Sequence, residues 1–133
     1  MNILEFRDVN LQLLALVIKV NAKVSGISFL TNPDNDLQLG LMTRDTNSPV
    51  LLHKHNSIAR TVHGTQEVIL IRSGSARVKI SDENLESVHE FVLEKGDAVL
   101  LLQGSHAIDF LETTEILEIK QGPYVADLDK TYL

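Results

Sequence analysis

Cysteine is absent from the 133 residues, which removes disulfides, thiolate metal ligands and cysteine nucleophiles together. Any metal bound by this chain is therefore held by nitrogen and oxygen. Long apolar runs are missing as well. The stretch Leu13-Leu14-Ala15-Leu16-Val17-Ile18 is far shorter than the roughly 20 residues a membrane-crossing helix needs, so no membrane partner is expected. Positive charge is scarce, with 12 Lys and Arg against 18 Asp and Glu and a net charge of −6. The basic residues form no run, so nucleic acid and anionic lipid, which are bound through basic patches, are not expected as partners either. Met1-Asn2-Ile3-Leu4-Glu5 lacks the basic start and small-residue cleavage site of a secretory signal, and the expected location is the cytoplasm. No GxGxxG or GxxxxGK[ST] loop is there to cradle a phosphate, and no GxSxG elbow to present a serine nucleophile.

What is there is a series of short apolar segments, each four to eight residues long and bounded by Gly, Pro, Asn, Asp or Ser. That pattern predicts many strands and no long helix. Strands are expected over residues 3–6, 11–19, 37–43, 50–55, 65–72, 75–80, 86–93, 98–102, 106–111 and 115–121. Leu11 to Lys19 has helix-forming Leu and Ala, but Val17, Ile18 and Val20 are β-branched and favour strand. Ser73-Gly74 is a hairpin signal. Ala98 to Leu102 is continuously apolar and predicts a strand buried on both faces. About ten strands with turn signals every eight to twelve residues predict one all-β domain, a sandwich or barrel spanning residues 1–133. Its core is expected at about 11–121, with a loosely held tail over 124–133.

The stretch Leu51-Leu52-His53-Lys54-His55 carries the clearest chemical signal. On a strand, His53 and His55 project to one face, so both imidazoles can bind one ion. Glu67 stands in the otherwise apolar Val68-Ile69-Leu70-Ile71 neighbourhood, where a carboxylate sits at a solvated strand end or against a cation. Gln66 and Glu67 cannot both face inward on one strand. His106 opens a strand after a glycine turn. Three imidazoles and one carboxylate suit Fe, Mn, Ni, Cu or Zn, with positions left for water or substrate. His63, in the intervening loop, is an alternative to Glu67 or His106.

These residues resemble the motifs of the cupin family. His53 and His55, with Glu67 followed by Val68 to Ser73 and Gly74, resemble its first motif. Gly96, Asp97 to Leu101, Leu102-Gln103-Gly104 and His106 resemble its second. The chain departs from the family in three places. The 11 residues from 56 to 66 make a longer gap than usual, Leu102 stands where the family has proline, and Gly104 to His106 is one residue short. The resemblance implies a double-stranded β-helix, or jelly-roll barrel, with one divalent transition metal (Fe, Mn, Zn or Ni) on His53, His55, Glu67 and His106. Thr65-Gln66-Glu67-Val68, Gly104-Ser105-His106 and Lys120-Gln121-Gly122-Pro123-Tyr124 are similar to small cupins linked with surface-polysaccharide or sugar biosynthesis.

The expected function is action on, or binding of, a small polar organic molecule, by isomerisation, epimerisation or oxygenation if catalytic. A non-catalytic ligand-binding module is the alternative. Arg44 and Arg60 are candidates for binding a carboxylate or phosphate on the ligand, with solvated loop arginines as the bland alternative. Glu118 and Lys120 share a strand face and either line the cavity or form an exposed ion pair. His89, in phase with Phe91 and Leu93, is read as structural. Strand edges and the Ala98 to Leu102 run predict a homodimer.

Overall fold

Period-2 burial marks β-strands such as Glu67–Ser73, Ser75–Ser81 and Val88–Glu94, whose alternate side chains turn inward. The computed structural model describes residues 2–126 and 128–133 and is all-β, with no helix among them. Its strands are β1 (Ile3–Arg7), β2 (Leu13–Ile18), β3 (Ile27–Phe29), β4 (Gly40–Met42), β5 (Glu67–Ser73), β6 (Ser75–Ser81), β7 (Val88–Glu94), β8 (Ala98–Leu101), β9 (Ser105–Phe110) and β10 (Glu115–Lys120). The chain divides into two compact units, Met1–Ala22 with Thr65–Leu133, and Lys23–Gly64. No described helix is long and apolar enough to cross a membrane.

The larger unit holds a five-stranded antiparallel sheet in the order β1-β2-β8-β5-β10 and a three-stranded one in the order β7-β6-β9. Alternate residues of both sheets meet in one core. Ala15 and Val17 from β2, Val99 and Leu101 from β8, and Ile69 and Ile71 from β5 pack with Ala76, Val78, Ile80 and Leu93. Each fully buried Leu, Ile or Val in such a core stabilises the fold by about 1.5–3 kcal/mol relative to exposure. Val99, Leu100 and Leu101 are all buried, and so is Leu16, the register partner of Leu100. Leu16 and Leu100 lie outside the core cluster, so β8 is covered on both faces, as its unbroken apolar run predicts.

The hairpin expected at Ser73-Gly74 does not form. β5 pairs with β8 and β10, while β6 pairs with β7 and β9, so the chain crosses from one sheet to the other at Gly74. Gly74 has φ +86°, and a Cβ there would lie 2.6 Å from the Thr113 carbonyl oxygen. Positive φ serves a hairpin and a crossing equally. The outcome is decided by the partners, because both edges of β5 and of β6 are already filled.

The turn from β7 to β8 is held by Asp97, which is 1% exposed. Its carboxylate accepts hydrogen bonds from the Val20 and Glu94 N–H groups at 2.8 Å and from Lys19 Nζ. Burial pushes this carboxyl up. The Lys19, Glu94 and Val20 donors outweigh that and hold it below the usual aspartate range.

The smaller unit is built differently. β3 and β4 pair over Ile27↔Met42, Ser28↔Leu41 and Phe29↔Gly40. The turn between them is tied by Gln38, whose Nε2 donates to the Asn32 and Asn35 carbonyls at 2.9 and 2.8 Å. The strand expected over 37–43 shrinks to Gly40–Met42, and residues 43–66 contain no strand.

Candidate functional site

β5 places Glu67 on the core face with Ile69 and Ile71, and at 8% exposure it is the buried member of the Gln66-Glu67 pair. β9 carries His106 on the core face of the other sheet, opposite Ile80 and in phase with Ile108. The two side chains meet across the sheets, with His106 Nε2 donating to Glu67 Oε1 at 2.8 Å. His106 is partly open to solvent, so the pair stands at the rim of the core.

β10 extends this cluster. Lys120 lies opposite Glu67 and Glu118 opposite Ile69, on the same face. Lys120 pairs with Asp129 at 3.5 Å, and Glu118 acts on the Glu67 carboxyl. The His106 hydrogen bond holds the Glu67 carboxyl below the usual glutamate range, against the effect of burial, helped by Glu118 and by the charges of His106 and Lys120. Glu118 is pushed up, first by its hydrogen bond to Glu67, then by burial and the Glu67 charge.

His53 and His55 are not on a strand, contrary to the expectation for Val50 to His55. Leu51 and Leu52 are exposed, and a strand forms only where a neighbour takes its backbone groups and one face is buried. The two rings nevertheless approach one another, with centroids 5.2 Å apart and planes at 72°. His53 Nδ1 lies 2.7 Å from the Leu51 carbonyl. A carbonyl only accepts, so Nδ1 donates, and in the neutral ring this leaves Nε2 to face a metal.

The four expected ligands thus divide into two pairs, Glu67 with His106 in the larger unit and His53 with His55 in the smaller. Among the described residues, no group of three or more His, Asp or Glu is gathered so as to hold a metal ion. The donor chemistry of each pair fits one. Neighbouring ligands on an octahedral ion with bonds of about 2.1 Å lie about 3 Å apart, close to the 2.8 Å between His106 Nε2 and Glu67 Oε1. His63 and Arg60 are exposed in the irregular segment. Arg44 donates to the Ser48 and Pro49 carbonyls at 2.9 and 3.2 Å and so ties its own turn. His89 is structural, with Nε2 donating to the Arg7 carbonyl at 2.8 Å and its ring against Phe6.

Two residues escaped the sequence reading. Asp129 accepts from Thr65 Oγ1 at 2.7 Å and anchors the tail, which was expected to be loose. Asp97 is the anchor of the β7–β8 turn, and its only sequence signal is its place in Glu94-Lys95-Gly96-Asp97. A hollow of about 230 Å³ lies elsewhere in the larger unit, lined by Asp8, Asn10, Leu14, Asp82, Glu86 and Gln103. Its aspartates are engaged by their own turns, Asp8 by the Asn10 and Gln12 N–H groups and Asp82 by those of Glu86 and Ser87.

Compared with family models, curated proteins and solved structures, the chain matches none.

Proposed function

We propose that this chain is a cytoplasmic, cupin-type jelly-roll protein. It binds one divalent transition metal at the Glu67–His106 pair and acts on a small polar organic molecule such as a sugar. The observation that carries the reading is Glu67, a carboxylate buried on a core face with an imidazole nitrogen at 2.8 Å. Burying such a group is costly unless it is paired or bound to a cation. The jelly-roll assignment draws support from the way consecutive strands β5 and β6, β7 and β8, β8 and β9, and β9 and β10 alternate between two sheets. When bound, the metal supplies Lewis acidity toward an oxygen of the ligand. Glu118 places a second carboxyl on the face of β10 that meets Glu67, one residue pair along the ladder, and a carboxyl there is suited to moving protons, which favours isomerisation or epimerisation over passive binding. A non-catalytic binding module is the alternative.

Metal content measured by mass spectrometry on tag-free protein tests the reading. About one equivalent of a transition metal is expected in the wild type, and its loss in the Glu67→Ala/His106→Ala double variant. Absence of metal from the wild type after reconstitution overturns it. The same reading includes a homodimer formed at the outer strands β1 or β10, where Ile116, Leu117 and Ile119 are exposed. A monomer mass by light scattering overturns that part.

A further inference from the structure

We propose that the outer face of the five-stranded sheet, at its β10 edge, is the contact surface of a homodimer in which each copy buries Leu117 and Ile119 against those of a second copy. This rests on the homodimer part of the reading above and is independent of the metal. Ile119, Val68, Leu100 and Leu16 stand opposite one another in turn across β10, β5, β8 and β2, on the side away from the core, and Leu117 with Leu70 opens a second such row. None of these six side chains is polar. An antiparallel sheet face that meets water carries polar residues at such positions. The three-stranded sheet does so, since its outward positions hold Arg77, paired with Glu90 at 3.3 Å, together with Lys79 and Asp109.

Coverage of the apolar face stops short of one edge. Leu16 and Leu100 are buried, Val68 and Leu70 are half-buried, and Leu117 and Ile119 are 46% and 54% exposed. Among the described residues β10 has a neighbouring strand on one side only, so its far edge is open to another chain. The opposite edge is finished differently, because the row through Leu16 ends on β1 at Glu5, which is paired with Arg7 at 2.7 Å. Charge on an edge strand resists pairing and apolar residues invite it, which selects β10 over β1. The occupant follows from area and from symmetry. A folded chain of 14.8 kDa exposes about 7,000 Å², and this one exposes 9823 Å². The difference, about 2,800 Å², exceeds the roughly 800 Å² per partner that a standard interface buries, so the chain carries the surface a stable dimer needs. The patch offers no charge for an acidic or basic partner to pair with, whereas a two-fold axis sets it against an identical apolar patch.

The test uses the full chain. Light scattering is expected to give the mass of two chains for the wild type and of one chain for Leu117→Lys/Ile119→Lys, with circular dichroism as the control for folding. Because the chain has no cysteine, single cysteines report the contact independently of that variant. Ile119→Cys is expected to be joined into a covalent dimer by a short bis-maleimide, while Arg77→Cys, on the outer face of the other sheet, runs as a single chain on a denaturing gel after the same treatment. A folded double variant that keeps the two-chain mass, or an Ile119→Cys protein that does not cross-link, overturns this surface and leaves the homodimer reading standing. Should the double variant fail to fold, the cysteine variants decide alone. A wild type with the mass of one chain overturns the homodimer reading and this surface with it, and the metal content is read separately from both.

Discussion

The two units of this chain reach order by different physical routes. In the larger one, Met1–Ala22 with Thr65–Leu133, all of the fully buried apolar side chains of the described residues are found, and five of its eight strands carry them. In the smaller one, Lys23–Gly64, only Thr31 is fully buried, and the contacts that hold the chain are short-range hydrogen bonds made by Gln38, Arg44, Asp45 and Asn32. One unit is stabilised by removing apolar area from water, the other by satisfying polar groups locally. Because a locally bonded turn stabilises little beyond itself, the same substitution should have different consequences in the two units.

The largest contrast is expected from truncating leucines. Leu93→Ala opens a cavity among Ala76, Val78 and Ile80, and denaturant unfolding should record a loss of about 2–5 kcal/mol. Leu52→Ala, at a fully exposed site, should change stability by no more than about 0.5 kcal/mol. An equal loss at both sites would show that Leu52 is buried in solution and would break the comparison.

Glycines give the next contrast. Gly104 has φ +83°, and a Cβ added there would run into the Ser81 carbonyl oxygen, a backbone atom. Gly64 has φ +80° with nothing within 4 Å of the added Cβ. Gly64→Ala should therefore cost only the left-handed backbone, about 1 kcal/mol, and Gly104→Ala should cost at least about 2 kcal/mol. Thermal unfolding of the two variants side by side measures the difference, which is the part due to packing.

The smallest expected effect, read as a difference in slope with pH, concerns Asp97. Its carboxyl is held below its unfolded value, so the folded state favours the ionised form. The stability this contributes is fully present above the unfolded aspartate range, near pH 4, and is lost as pH falls through and below it. Unfolding free energy measured from pH 6 downward should fall more steeply for the wild type than for Asp97→Asn, which has no charge there to titrate. Parallel curves would mean that other carboxylates govern the acid limb.

The outcome at particular residues shows what a sequence can carry. The run Ala98 to Leu102 was readable because burial on both faces leaves a compositional mark on the strand itself. That only one of Gln66 and Glu67 faces inward was readable because parity along one strand is a local property, and the choice of Glu67 came from the resemblance of its spacing to Gly74. His53 and His55 carry no apolar alternation around them, and whether such a segment pairs depends on a neighbouring strand whose position the segment does not encode. The Ser73-Gly74 turn was misread for a related reason: its glycine specifies a backbone angle, not the sheet in which the next strand lies. Glu118 could be placed on a face but not beside Glu67, since that contact depends on the register of β10 against β5. Asp129 is further still from legibility, because a single aspartate in a mixed tail carries no periodic signal for the Thr65 hydroxyl it meets.

The crossings between sheets bear on how fast the chain can fold. Hairpin partners such as β1 with β2 and β6 with β7 are close in sequence and can pair within microseconds. The central ladder cannot, because Ile18 must find Ala98 and Glu67 must find Lys120, and each such encounter closes a long loop before any apolar surface is buried. Folding in milliseconds to seconds is therefore expected, with β6–β7 a natural place for structure to start and β2–β8 the late, rate-setting closure.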